Sequence, residues 1–267
     1  MRIVITGASS GIGRAAAIEL AERGHQLAIV GRTKSRVEEV ATATHGDPFV
    51  SDFDDLAQVR QLAADLTAAY PTIDGLANNA GGVIATRALT EDGHERTWQS
   101  NVLAPFVLTQ ALLPRLLESD ARVVFTSSNA NHFENVDVAD PNHDRGLWLR
   151  GFRAYGQAKR ADLMLAKEYA RRTPLQVYSF HPGPVATRFG GLDSGPLAPL
   201  IKWAIRTPEQ GAELLVRLLT EKPDAASGAY FTAWGKPDRG AAKQALDPAE
   251  GAKLWELLEP QAAGAVT

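Results

Sequence analysis

Residues 1–13 read Met1-Arg2-Ile3-Val4-Ile5-Thr6-Gly7-Ala8-Ser9-Ser10-Gly11-Ile12-Gly13. The first five form a short apolar run of β type, and the glycine-rich segment that follows cuts it. Residues 14–23, rich in Ala, Leu and Glu, then predict a helix with Gly24 as its C-cap. Gly7, Gly11 and Gly13 form G-x-x-x-G-x-G at this strand–helix junction. Glycine permits a tight turn and close approach of the backbone to a phosphate, and the helix N-terminus supplies N–H donors and a positive dipole end. The spacing departs from the dinucleotide fingerprint G-x-G-x-x-G, and a glycine turn also serves plain chain reversal. Its place at the first junction of an alternating chain favours phosphate binding.

The alternation continues outward. Apolar strands are predicted at 26–30, 47–50, 75–77, 122–126, 176–180 and 229–232. Helices are predicted from 35, over 56–70, over 95–117, through Tyr155 to 172, and over 208–219. Strands alternating with helices imply a parallel, doubly wound sheet. No repeat, low-complexity tract or linker divides the chain. The expectation is an α/β, Rossmann-type single domain over 1–267, with about seven strands and helices on both faces.

Hydrophobic residues make up 45% and charged residues 22% of the 267, with a net charge of −3. That balance offers no basic field for nucleic acid and no polybasic membrane anchor. With no cysteine, disulfides, thiol catalysis and cysteine-ligated metals are excluded. The six histidines fall into no ligand spacing, so no metal is expected. No apolar run approaches the roughly 20 residues that cross a bilayer. A cytoplasmic protein is expected, with no membrane or nucleic-acid partner.

The end of the second strand bears on which nicotinamide nucleotide would fit. An acid there pairs a ribose 2′-hydroxyl, whereas an arginine accommodates a 2′-phosphate. Gly31-Arg32-Thr33-Lys34-Ser35-Arg36 carries three cations and no acid. NADP(H) is therefore expected over NAD(H), with Arg32 the leading phosphate clamp. Lys34 and Arg36 suit a solvated helix start equally well.

Tyr155-Gly156-Gln157-Ala158-Lys159 places a phenol and an ammonium one helical turn apart on one face. A cation beside a phenol lowers its pKa from about 10 towards neutrality, and such a tyrosine exchanges protons with an alcohol or carbonyl oxygen. The same spacing also fits an ordinary helix with a surface lysine and a half-buried tyrosine.

Together, TGASSGIG at 6–13, NNAG at 78–81, YGQAK at 155–159 and Pro182-Gly183 after the sixth strand resemble the short-chain dehydrogenase/reductase family. Thr207-Pro208-Glu209-Gln210-Gly211-Ala212, Gly228-Ala229-Tyr230-Phe231 and Leu254-Trp255-Glu256 resemble its retinol dehydrogenase and protochlorophyllide reductase-like branch. The resemblance implies Tyr155 as catalytic acid/base and Lys159 as its partner and a ribose contact. It implies Ser128, the second serine of Thr126-Ser127-Ser128, as donor to the substrate oxygen. It implies Asn101 as holder of a water that relays protons to the lysine. Cofactor contacts are implied at Gly7, Ser9, Ser10, Gly11, Ile12, Gly13 and Arg32. Further contacts are implied at Asp52 and Phe53 beside the adenine, at Asn79, Ala80 and Gly81 along the adenosine half, and at Pro182, Gly183, Val185 and Thr187 near the nicotinamide.

Ser128 and Tyr155 stand 27 positions apart, about twice the separation in compact members of the family. The insert, about 129–154, is expected on the substrate side, as in the retinol dehydrogenase-like branch. His132 and His143 within it read as loop histidines. Residues 188–205 resemble a mobile lid, in which Leu192, Leu197, Leu200 and Trp203 suit an apolar ligand or a helix core. The expected activity is hydride transfer that interconverts a carbonyl and an alcohol on an apolar small molecule. Reduction of a carbon–carbon double bond and catalytically silent nucleotide sensing are the alternatives. The helices that pair in the family's dimers also read as ordinary amphipathic helices, which leaves homodimer and monomer both open.

Overall fold

The computed structural model describes residues 1–184 and 206–263. Its first half runs β1 (Arg2–Thr6), α1 (Gly11–Glu22), β2 (Gln26–Gly31), α2 (Lys34–Thr44), β3 (Asp47–Val50), α3 (Leu56–Ala69) and β4 (Gly75–Asn78). A continuous helical stretch follows: α4 (Arg96–Trp98), a π-helical turn (Gln99–Leu103) and α5 (Ala104–Glu118). Then come β5 (Arg122–Thr126), α6 (Phe152–Arg172), β6 (Gln176–Phe180), α7 (Pro208–Thr220), β7 (Tyr230–Phe231), α8 (Lys243–Leu246) and α9 (Pro248–Ala263). The first helix starts at Gly11 and not at residue 14, because the glycine turn itself forms its first turn.

One seven-stranded sheet results, in the order β3-β2-β1-β4-β5-β6-β7, with every neighbouring pair parallel. Strands buried on both faces read as continuous apolar runs, and their side chains alternate between the two layers. Ile3 and Ile5 of β1 pack with α1, α2 and α7, whereas Val4 packs with α3, α5, α6 and α9. The order reverses between β1 and β4, and ligand clefts in such sheets open there, beyond the carboxyl ends of the strands.

Two packing features fix the walls of that cleft. Trp255 of α9 meets Tyr169 of α6 and Phe106 of α5 edge-on, with ring centroids 4.9 and 5.1 Å apart. These contacts hold the back of α6 in an apolar cluster. At the other end, the insert folds onto the loop after β4. Trp148 Nε1 donates to the carbonyl of Ala85 at 2.8 Å, and Ile84 O fills the space where a side chain at Gly151 would lie.

Candidate active site

Thr6 ties the ends of β1 and β4 together. Its hydroxyl donates to Ala77 O at 3.0 Å and accepts from the N–H groups of Asn79 (2.9 Å) and Ala80 (3.0 Å). Asn79 returns a bond from Nδ2 to Thr6 O at 3.0 Å and accepts from Thr126 Oγ1 at 3.1 Å. Three strand ends are thereby locked into one rim. Gly7 turns there with φ +65°, a left-handed conformation that suits glycine. A Cβ at Gly13 would overlap Gly7 O, so α1 can lie this close to β1 only with glycine at that position.

A cleft of about 1010 Å³ follows this rim. Gly7, Ser9, Ser10, Gly11, Ile12 and Gly13 line one side, with Arg32, Asp52 and Phe53 at one end. Asn79, Ala80 and Gly81 form its floor, and Ser128, Tyr155, Lys159, Pro182 and Gly183 close the other end. Ser10 forms the N-cap of α1 without a side-chain bond, so the first turn presents its N–H groups and positive dipole end uncapped. Such a cradle fits the pyrophosphate of a dinucleotide. Of the expected contacts, Val185 and Thr187 lie outside the described residues, as does the lid segment 188–205.

Asn101 sits in the π-helical turn, a local distortion frequent at functional sites. Its side chain is buried and committed to the backbone. Nδ2 donates to Thr97 O at 2.9 Å and Gly82 O at 3.1 Å, and Oδ1 accepts from the Gly82 N–H at 2.9 Å. Ser128 caps the short 3-10 turn Asn129–His132 by accepting from the Ala130 N–H at 3.2 Å, and it also bonds the Tyr155 hydroxyl. Ser127 also borders the cleft, but its hydroxyl is spent on the backbone, donating to Lys159 O at 2.5 Å. Two neighbouring serines thus take different parts: one bonds beside Tyr155, the other anchors α6.

The Lys159 ammonium lies 5.4 Å from the centre of the Tyr155 ring. It donates to Thr126 O at 3.0 Å and to Asp162 Oδ2 at 2.9 Å, and the ion pair is almost wholly buried. Lys159 stands beside Tyr155, as the spacing implied, and it also faces a carboxylate that the spacing argument left out. Burial pushes the Tyr155 phenol well above its ordinary value, the Ser128 bond pulls it down, and the Asp162 carboxylate adds to the rise. Burial is the largest of these causes, and the Asp162 carboxylate that pairs with Lys159 is the smallest. Residue-by-residue reading of the sequence missed this carboxylate, although its i,i+3 spacing from Lys159 in an apolar run was a signal.

His181, at the end of β6, also lines the cleft, and no motif in the sequence points to it. Burial, and then the nearby Arg206, push its pKa down to about 4, which keeps the ring neutral near pH 7. Val83, Ile84, Phe133 and Phe152 supply apolar wall beyond Tyr155. His132 binds Gly240 O at 2.9 Å, and His143 is buried beside Trp148; neither lines the cleft. Among the described residues, no helix is long and apolar enough to cross a membrane.

The chain has clear relatives among known proteins. The sequence model of the short chain dehydrogenase family matches residues 1–140. A candidate daunorubicin C-13 ketoreductase of Streptomyces sp. (strain C5) is 38% identical over 265 residues, covering 95% of this chain and 90% of that one. Retinol dehydrogenase 14 of Mus musculus is 33% identical over 287 residues, covering 96% of this chain and 84% of the relative. Among solved structures, an uncharacterised protein of Mycobacterium paratuberculosis superposes with a TM-score of 0.77 at 31% identity, covering 98% of this chain and 93% of that one.

Proposed function

The chain belongs to the short chain dehydrogenase family, in its retinol dehydrogenase-like branch, and from that premise we propose that this oxidoreductase uses NADP(H) to reduce a carbonyl group on an apolar small molecule. The observation that carries the reading is the convergence of Ser128, Tyr155 and Lys159 at one end of the cleft that the glycine turn also lines. Bound in this cleft, a nicotinamide supplies or accepts the hydride. The protein's own groups handle the oxygen. Tyr155 gives its phenolic proton to the substrate oxygen during reduction and takes it back during oxidation. Ser128 donates to the same oxygen and stabilises the charge that develops on it. Lys159 holds the ribose hydroxyls, and Asn101 braces the loop at Gly82.

Arg32 favours the 2′-phosphate. β2 runs out into cations with no acid, and Arg32 stands at the cleft while Lys34 leans 3.8 Å towards Glu38. The apolar wall of Val83, Ile84, Phe133 and Phe152 favours a substrate with an apolar body, and we assign the insert 129–154 to the substrate side of a single domain. The name of the Streptomyces relative, a C-13 ketoreductase, agrees with a ketone substrate.

Fluorescence titration with NADPH and NADH, followed by turnover on ketones, aldehydes and enones, tests the proposal. Tyr155→Phe is expected to cut carbonyl reduction roughly 10²- to 10⁴-fold with NADPH affinity unchanged. Turnover on enones alone would overturn the carbonyl reading. Tight nucleotide binding without turnover on any class would favour a nucleotide sensor.

A further inference from the structure

Asn131 is fully buried in the 3-10 turn that Ser128 caps. Its Nδ2 donates to Ser128 O at 2.8 Å, and its backbone N–H donates to the same oxygen at 3.0 Å. A carbonyl oxygen has two lone pairs, and both are engaged here. The peptide group after Ser128 is thereby fixed in orientation. The Ser128 hydroxyl in turn accepts from the Ala130 N–H at 3.2 Å. A hydroxyl bound in this way keeps its own proton and one further lone pair for another partner. α6 presses on the same turn: a Cβ at Gly156, the neighbour of Tyr155, would lie 3.0 Å from Ala130 O. The turn therefore sets where the serine stands relative to the tyrosine.

The turn is held from the far end of the chain. Asn131 Oδ1 accepts from the Ala242 N–H at 3.0 Å, and His132 binds Gly240 O. Gln244 bonds both backbone groups of Val136, accepting from its N–H at 2.8 Å and donating to its carbonyl at 2.9 Å. Alternate residues of the segment 240–244 thus pair with residues 131–136 of the insert. From α6, Arg160 Nε donates to Asn131 O at 2.7 Å, and Arg160 Nη1 donates to Gln244 Oε1 at 3.2 Å. Arg160 is buried and, among the described residues, pairs with no carboxylate; its acceptors are neutral carbonyl oxygens.

We propose that Asn131 is a positioning residue for carbonyl reduction: it fixes the Ser128 peptide, so aims the serine hydroxyl at the substrate oxygen, and draws that hold from the C-terminal segment through Ala242. The proposal rests on the reading of Ser128 as donor to that oxygen. One planar amide supplies both a donor to Ser128 O and an acceptor for the Ala242 N–H. A leucine of similar size would leave both backbone groups unpaired, and an aspartate would lose the donor. The consequence falls on the chemical step. Ser128 stabilises charge that develops on the oxygen, so a serine held off its mark costs turnover more than nucleotide binding. A misplacement of about 1 Å is enough to lose about 10²-fold.

Two variants separate the two arms of the amide. Asn131→Asp keeps the acceptor for Ala242 and loses the donor to Ser128, while the nearby Arg160 guanidinium offsets its charge. Ala242→Pro removes the N–H that Asn131 accepts, at a residue whose φ of −68° suits proline. The first readout is hydrogen exchange of the Ala130 amide, followed by ¹⁵N NMR on protein without substrate or nucleotide. Both variants, like Ser128→Ala, are expected to exchange it roughly 5- to 10-fold faster, as for loss of one capping bond. The second readout is a double-mutant cycle. Asn131→Asp is expected to lower kcat for carbonyl reduction about 10- to 100-fold with NADPH affinity unchanged. In a Ser128→Ala background it should cost almost nothing more, because residues that act as a unit are not additive. Equal losses in both backgrounds would overturn the proposal, as would a native exchange rate at Ala130 in Asn131→Asp. If Asn131→Asp does not fold, a native exchange rate in Ala242→Pro overturns it instead. Full turnover by Ser128→Ala would refute the reading of that serine, on which the exchange measurement does not depend.

Discussion

The side-chain amide of Asn101 grips both polar atoms of the Gly82 backbone, accepting from its N–H at 2.9 Å and donating to its carbonyl at 3.1 Å. Because Gly82 follows the Asn79-Ala80-Gly81 floor of the cleft, this one side chain connects the distorted helix after α4 to the loop after β4. Truncation to Asn101→Ala leaves three partly or wholly buried backbone groups without their partner, counting Thr97 O. The expected loss is about 1–3 kcal/mol. Urea unfolding should show a lower midpoint with an unchanged slope, and NADPH affinity should weaken with it. An unchanged midpoint would show that the loop holds its own shape.

Arg32 tests the choice of nucleotide. It is exposed at the rim of the cleft, so substitution there perturbs little of the fold. A charge-assisted bond to phosphate is worth roughly 1.5–3 kcal/mol. Arg32→Glu should therefore weaken NADPH binding about 10- to 100-fold while leaving NADH binding equal or improved. Equal losses for both nucleotides in fluorescence titration would assign Arg32 a general role and leave the 2′-phosphate without its clamp.

His181 links stability to pH. Its pKa falls from 6.5 to about 4 on folding, through burial first and Arg206 second. Between those values the unfolded chain binds a proton that the native ring refuses. Its contribution is fully present above about pH 6.5 and is lost as the pH falls towards 4. The loss by pH 4.5 is of order 2 kcal/mol, because each tenfold difference in proton affinity between the unfolded and native rings corresponds to about 1.4 kcal/mol. His181→Asn should flatten the fall in unfolding free energy between pH 7 and 4.5, measured by urea titration at each pH. A parallel fall in variant and native protein would place the acid-sensitive group elsewhere.

Local pattern was enough for much of the molecule. The apolar runs of β1, β2, β4, β5 and β6 are legible because strands covered on both faces need little polar surface, and the glycine turn is legible because few other residues tolerate φ near +65° at Gly7. Tyr155 and Lys159 were legible as types at a characteristic spacing and Ser128 through the family resemblance, and all three line one cleft. What escaped were contacts between distant segments. Thr6 reads as one more loop residue until β4 lies beside it and Asn79 and Ala80 bond its hydroxyl. The insert reads as a long loop, with nothing local to say that Gly151 would pack against Ile84 O.

The sequence by itself determined the alternation of strand and helix, the glycine cradle, the cations after β2 and the pairing of a phenol with an ammonium one turn away. These follow from periodicity and backbone sterics, which act over a few residues. Only the tertiary structure decided what surrounds the phenol and the ammonium. Burial and the charge that faces Lys159 are both set by how α6 packs on the sheet. In the folded protein Tyr155 is buried, and Asp162 faces Lys159 at 2.9 Å.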